Sequence, residues 1–181
     1  MTRNITDLKR LLSPPARPGG LRWERGARSD NLDHLTRGAL AGIVATGFMT
    51  PVIAVGRALN LLWTPPPAQI TENLAKRAGV NPDEDHVAFQ LVWLAAHGGY
   101  GVVCGATYVA MRPILPRATV VAGLLYGGGV WTASYIALMP ALNLYPSPEE
   151  DSRSRLAVMV VAHAVFGVSL AEVERRLAHR S

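Results

Sequence analysis

Two histidines, His97 and His163, are the residues best placed to do chemistry in this chain. Each lies about ten residues inside a long apolar run, where an ionisable side chain faces the interior of the helix bundle and bonds, relays or ligates. An imidazole there has three uses. It bonds a backbone carbonyl or a nearby hydroxyl, for which Thr46, Thr50, Thr107 and Ser134 are candidates. It hands on protons, although no Asp or Glu accompanies it inside these runs. Or, as one of an axial pair, it holds a haem iron. A glycine follows each histidine at the fourth position, Gly101 and Gly167, and Gly105 extends the first stripe. Residues four apart share a helix face, so each imidazole stands beside a smooth surface. That surface admits a second helix, a lipid or a porphyrin plane. On these grounds His97 and His163 are the candidate cofactor-binding residues, with haem as the candidate group.

The sequence assigns no catalytic residue and no metal ligand set. It contains no nucleophile elbow, no triad spacing and no Cys/His metal pattern. A lipid-modifying enzyme would need an acid–base pair that is not there. Gly127-Gly128-Gly129 is not a phosphate loop, because it follows no strand and lacks the Gly-Lys-Ser/Thr ending. The acidic clusters Asp83–Asp85 and Glu149–Asp151 precede apolar runs. They suit the positive ends of helix dipoles; a divalent cation at the outer surface is the alternative.

The elements that carry these residues follow from charge distribution. Of 181 residues, 49% are apolar and 17% charged, and the mean hydropathy is +0.17. The charges are segregated: none falls in 38–56, 87–111 or 118–148. Runs of about 18 apolar residues cross a ~30 Å hydrocarbon core as helices. The pattern predicts an all-α integral membrane protein with four transmembrane helices, at about 38–62, 87–111, 118–139 and 155–173. Pro51 kinks the first, and a short helix at about 71–77 lies in the first loop. Gly38-Gly42, Gly101-Gly105 and Gly123-Gly127 are small-residue stripes of the kind that bring membrane helices together. Gly101, Gly105, Gly167, Gly123 and Gly127 are therefore the candidate packing residues. Trp63, Trp93 and Tyr145 are expected at the outer interface.

The chain also repeats itself. At one constant spacing, Ala96-His97 recurs as Ala162-His163 and Tyr100-Gly101-Val102 as Phe166-Gly167-Val168. Ala41-Gly42 recurs as Ala122-Gly123, and Ala58-Leu59-Asn60-Leu61 as Ala141-Leu142-Asn143-Leu144. This predicts two tandem two-helix units, 38–111 and 112–176, related by a pseudo-two-fold axis along the membrane normal. They are flanked by a basic tail, 1–37, and a short tail, 177–181. A Thr6-capped helix and a breaker at 13–20 are expected in the first tail.

Thirteen of the 18 Lys and Arg fall on the side of the two termini. That places both termini in the cytoplasm. No signal-peptide core is visible in the first 37 residues, so the first membrane helix is expected to direct insertion. The basic tail accounts for the pI of about 9.9, so nucleic acid is not an expected partner. The expected partners are the bilayer and other membrane subunits or further copies of the chain.

The second half resembles the YagU-like family of bacterial inner-membrane proteins. The resemblance rests on Ala96-His97, on Ala122-Gly123 through Trp131 ending near a proline, and on His163-x-x-Phe166-Gly167 before a basic tail. It implies a small multi-pass inner-membrane protein and supplies no reaction. The function read from the sequence is a scaffold or accessory subunit of a membrane assembly. The alternative is a haem-binding or proton- or ion-handling protein that uses the paired histidines.

Overall fold

A computed structural model describes residues 20–62, 64–83, 86–145 and 151–179, with side chains from residue 32 onward. The expectations for the Thr6 helix, the 13–20 breaker up to residue 19, Trp63, Glu84–Asp85 and Glu149–Glu150 lie outside the described residues; Gly20, the breaker's last residue, is helical. The chain divides into two compact units, Met1–Leu32 and Asp33–Ser181. In the first, the backbone from Gly20 is helical. The second holds the rest of that helix and every helix after it.

The described residues form helices without strands: α1 (Gly20–Ala58), α2 (Pro66–Arg77), α3 (Val87–Met111), α4 (Thr119–Thr132) and α5 (Arg153–Ala178). A 3-10 turn, Arg112–Ile114, joins α3 to α4. A π-helix, Ala133–Leu138, and one α-turn, Met139–Ala141, prolong α4. Four of these stretches are long and apolar enough to cross a membrane: Leu32–Ala58, Val87–Ile114, Thr119–Ala141 and Arg153–Ala178. Their outer faces carry large apolar side chains, among them Phe48, Leu91, Leu125 and Val161. Water would not tolerate so continuous an apolar surface, whereas lipid does.

The inward faces are built from small residues. On α1, Ala41, Gly42, Ala45 and Thr46 are buried; on α4 the buried set is Ala122, Gly123, Tyr126 and Gly127. The second set repeats the spacing of the first, position for position. On α3, Gly101, Cys104, Gly105 and Tyr108 are buried, and on α5 Gly167, Leu170, Ala171 and Glu174. These two sets are offset by the same distance along the chain as His97 and His163. Gly42 and Gly38 meet Gly101 and Gly105 so closely that a Cβ on any of them would overlap backbone or the Thr46 side chain. Gly123 and Gly127 meet Gly167 and the His163 carbonyl in the same manner.

Helix ends follow local chemistry. His86 caps α3 by accepting from the Ala88 amide, and Ser152 caps α5 by accepting from Arg155. α1 ends at Ala58 rather than near residue 62, because Asn60 adopts a left-handed φ of 56°. Leu61 N–H then bonds the Gly56 carbonyl, and Asn60 N–H that of Arg57, a Schellman cap. Asn143, with φ of 51°, repeats this cap through Leu144 to Met139 and Asn143 to Pro140.

Besides the bounds of α1, which starts at Gly20 ahead of the expected 38, two further features depart from the sequence expectation. α2 begins at Pro66, ahead of the expected start at Thr71, since proline suits the first helical position. The stretch before Pro140 is a π-helix rather than a continuous α-helix. The interval from Asn60 to Asn143 exceeds that from Gly42 to Gly123, so more chain lies between the Gly123 packing face and the Asn143 cap than between Gly42 and Asn60. A π turn takes in more chain than an α turn, so the π segment absorbs the excess without ending the helix.

Candidate functional site

A partly open cavity of about 260 Å³ lies where α1 and the π segment end and α3 and α5 begin. α3 contributes His97 and Tyr100, α5 Met159 and His163, and the α4 extension Trp131, Ser134 and Tyr135. α1 contributes Met49, and α2 covers the cavity with Pro66, Pro67 and Ile70. Beyond the histidines a water-sized void of about 30 Å³ is bordered by both of them and by Thr46, Tyr100 and Cys104.

The two histidines are held differently. His163 Nδ1 lies 2.8 Å from the Met159 carbonyl. A carbonyl only accepts, so Nδ1 carries the proton and the neutral ring keeps Nε2 as an acceptor. His97 Nε2 is buried with no hydrogen-bond partner. The hydroxyls expected as partners are bonded elsewhere. Thr46, Thr50 and Thr107 donate to the carbonyls of Gly42, Thr46 and Val103 in their own helices. Ser134 pairs with Tyr100 at 2.6 Å across α3 and the π segment.

Trp131 also carries an unpartnered atom, its buried Nε1, as does Tyr108, whose hydroxyl lies away from this cavity. Its ring stacks on Tyr135, with centroids 5.5 Å apart and planes 17° from parallel. Tyr135 donates to Asp151 Oδ2 at 2.6 Å. Asp151 is 3% exposed in its side chain and faces Arg155 at 3.3 Å. Arg155 in turn donates to the Tyr145 hydroxyl at 3.0 Å. This network forms the end of the cavity nearest the start of α5. It also accounts for the burial of Tyr145.

The candidate packing glycines make helix contacts and do not border the larger cavity. Gly101 and Gly105 face α1, and Gly123, Gly127 and Gly167 join α4 to α5. The smooth surfaces at these glycines are therefore occupied by the neighbouring helix, through its backbone and, at Gly101, the Thr46 side chain. No cluster of three or more His, Cys, Asp or Glu suited to a metal occurs among the described residues.

Sequence reasoning found the histidines and missed Trp131 and the Asp151–Arg155–Tyr network. The usable signal was physical: a tryptophan inside an apolar run carries an N–H that needs a partner.

These features define a helical membrane protein with a cavity inside its bundle, lined by apolar side chains and a few unmatched polar atoms. Residues 32–181 match the family of unknown function DUF6789, and the chain belongs to that family. No curated protein and no solved structure matches it.

Proposed function

We propose that this protein binds a small, largely apolar molecule within the membrane, in the cavity floored by His97 and His163. One observation carries the reading. Two buried polar atoms, His97 Nε2 and Trp131 Nε1, lack partners in residues that line one cavity. Unmatched buried polar atoms are costly in a folded protein, about 1–3 kcal/mol each, and their coincidence with a cavity points to a guest. Native mass spectrometry in mild detergent, followed by organic extraction, tests it. Wild type is expected to carry a small-molecule mass. Ala96→Trp, which fills the cavity from α3, is expected to lose it while remaining helical. A wild type with no bound mass, or a variant that keeps it, would sink the reading.

The architecture that goes with this function is two tandem two-helix units about a pseudo-two-fold axis. The matched buried sets, the matched N-caps at His86 and Ser152, and the paired Asn60 and Asn143 caps support it. We further propose residence in a bacterial inner membrane with both termini cytoplasmic, in keeping with the basic-residue count and the YagU-like resemblance. A cysteine added at either terminus should be shielded from a membrane-impermeant thiol reagent in intact cells; labelling there would reverse the topology.

A scaffold role is the second reading. Gly47, Gly98, Gly99, Gly128 and Gly129 have open space around them, and such faces admit a neighbouring helix. The same native mass measurement decides it, since a strictly monomeric species leaves the scaffold role without a partner.

A further inference from the structure

We infer that the guest is a neutral, lipid-soluble ring compound bearing carbonyl oxygens, of the quinone class, seated ring-first between His97 and Trp131 with its chain left in the bilayer. This rests on the reading of the cavity as a binding site and narrows it to one chemistry.

Polarity sets the first limit. Indole Nε1–H is a donor and never an acceptor. Whatever satisfies Trp131 must present an acceptor, and an oxygen lone pair is the common one in a membrane-soluble molecule. His97 sits on a different helix, α3, so the two residues that carry unmatched atoms border the cavity from separate walls. A ring with oxygens at two positions can meet both, whereas a single terminal hydroxyl meets one.

Charge sets the second. Among the described residues no Lys, Arg, Asp or Glu lines the cavity. Arg155, at the end nearest the start of α5, already faces Asp151 and bonds Tyr145. A fatty acid or phosphorylated headgroup would find no free cation in that lining, and an amine no free carboxylate. Burial of an uncompensated charge is strongly unfavourable, so the guest is neutral.

Shape sets the third. A benzene ring occupies an apolar cavity of roughly 150 Å³. The space of about 260 Å³ suits one six-membered ring with small substituents and excludes most of a long chain. The stacked Trp131–Tyr135 pair offers a flat wall. Met49, Met139 and Met159 border the same space, and thioethers pack adaptably against ring edges. Water is a poor alternative filling, because each molecule needs two to four polar partners and most of this lining is apolar.

The test uses the full chain in mild detergent, titrated calorimetrically with a decyl-substituted dimethoxy-methyl-benzoquinone and with decylbenzene. The second probe keeps ring and chain but has no oxygen. The quinone should bind saturably and at least about tenfold more tightly than decylbenzene. Trp131→Phe should weaken the quinone about tenfold and leave decylbenzene unchanged. His97→Leu is the second variant, expected to act in the same direction, and thermal melts establish that each variant is folded. Equal affinities for the two probes would overturn the carbonyl assignment and leave the binding site standing. Saturable quinone binding untouched by both variants would place it elsewhere and also overturn the assignment. Failure of both probes to bind would remove the binding site itself.

Discussion

At the scale of single residues, the same amino acid does opposite things in this bundle. Gly98 and Gly101 are three positions apart on α3. A methyl group at Gly98 meets open space, whereas at Gly101 it meets the Thr46 side chain and the Gly42 carbonyl. Gly98→Ala should raise thermal stability in detergent, by up to about 1 kcal/mol, because alanine is the better helix former. Gly101→Ala should lower it by about 1–3 kcal/mol, the usual cost of overpacking. Equal effects of the two changes would show that the α1–α3 approach is not as close as described. The spacing of Gly101 and Gly105 was legible in the sequence, and so was the depth of His97. Which surface each glycine would touch was not legible, since periodicity gives a face and not its neighbour. His97 and Trp131 illustrate the same limit. Their burial followed from the apolar runs, but the absence of partners depends on side chains from four other segments.

At the scale of elements, α2 is the piece that turns an open groove into a cavity. Its Asn73 amide donates to the Leu144 carbonyl at 2.9 Å, and Arg77 to that of Asn143 at 3.0 Å. Both acceptors belong to the left-handed cap after the α4 extension, where carbonyls fall outside the helix ladder and need other donors. A lid held by two hydrogen bonds and a few buried side chains, Pro66 and Ala68 among them, opens more readily than one sealed by a large core. Asn73→Ala combined with Arg77→Ala should therefore speed release of the bound quinone in a stopped-flow chase, by about tenfold if each bond contributes ~1 kcal/mol. The affinity of the opened state matters less than the rate, and an unchanged release rate would mean that α2 does not gate the cavity. The sequence reading placed this helix at about 71–77 and so set its start too late. The π segment left a fainter trace, the lengthening of the interval between matched positions from Gly123 to Asn143. Only an alignment carried along the whole of α4 exposes it.

At the scale of the whole molecule, two hairpins share a packing plan and differ in what they add to it. α3 and α5 bury matched positions, yet the pairs differ chemically: Cys104 against Leu170, and Tyr108 against Glu174. Helix number, helix order and the pairing of His97 with His163 at one cavity follow from hydropathy and self-similarity, which act over long stretches. The polar network at Asp151, Arg155, Tyr135 and Tyr145 does not, because it joins the π segment, a loop and the start of α5.

Only the first of the two loops at this end is long enough to hold a twelve-residue helix; the stretch from 142 to 152 is not. Two halves with matched burial patterns would otherwise be expected to furnish a pair of equivalent chambers. With one cover for two halves, occupancy should saturate at a single guest per polypeptide, and the mass added on saturation would report that stoichiometry directly.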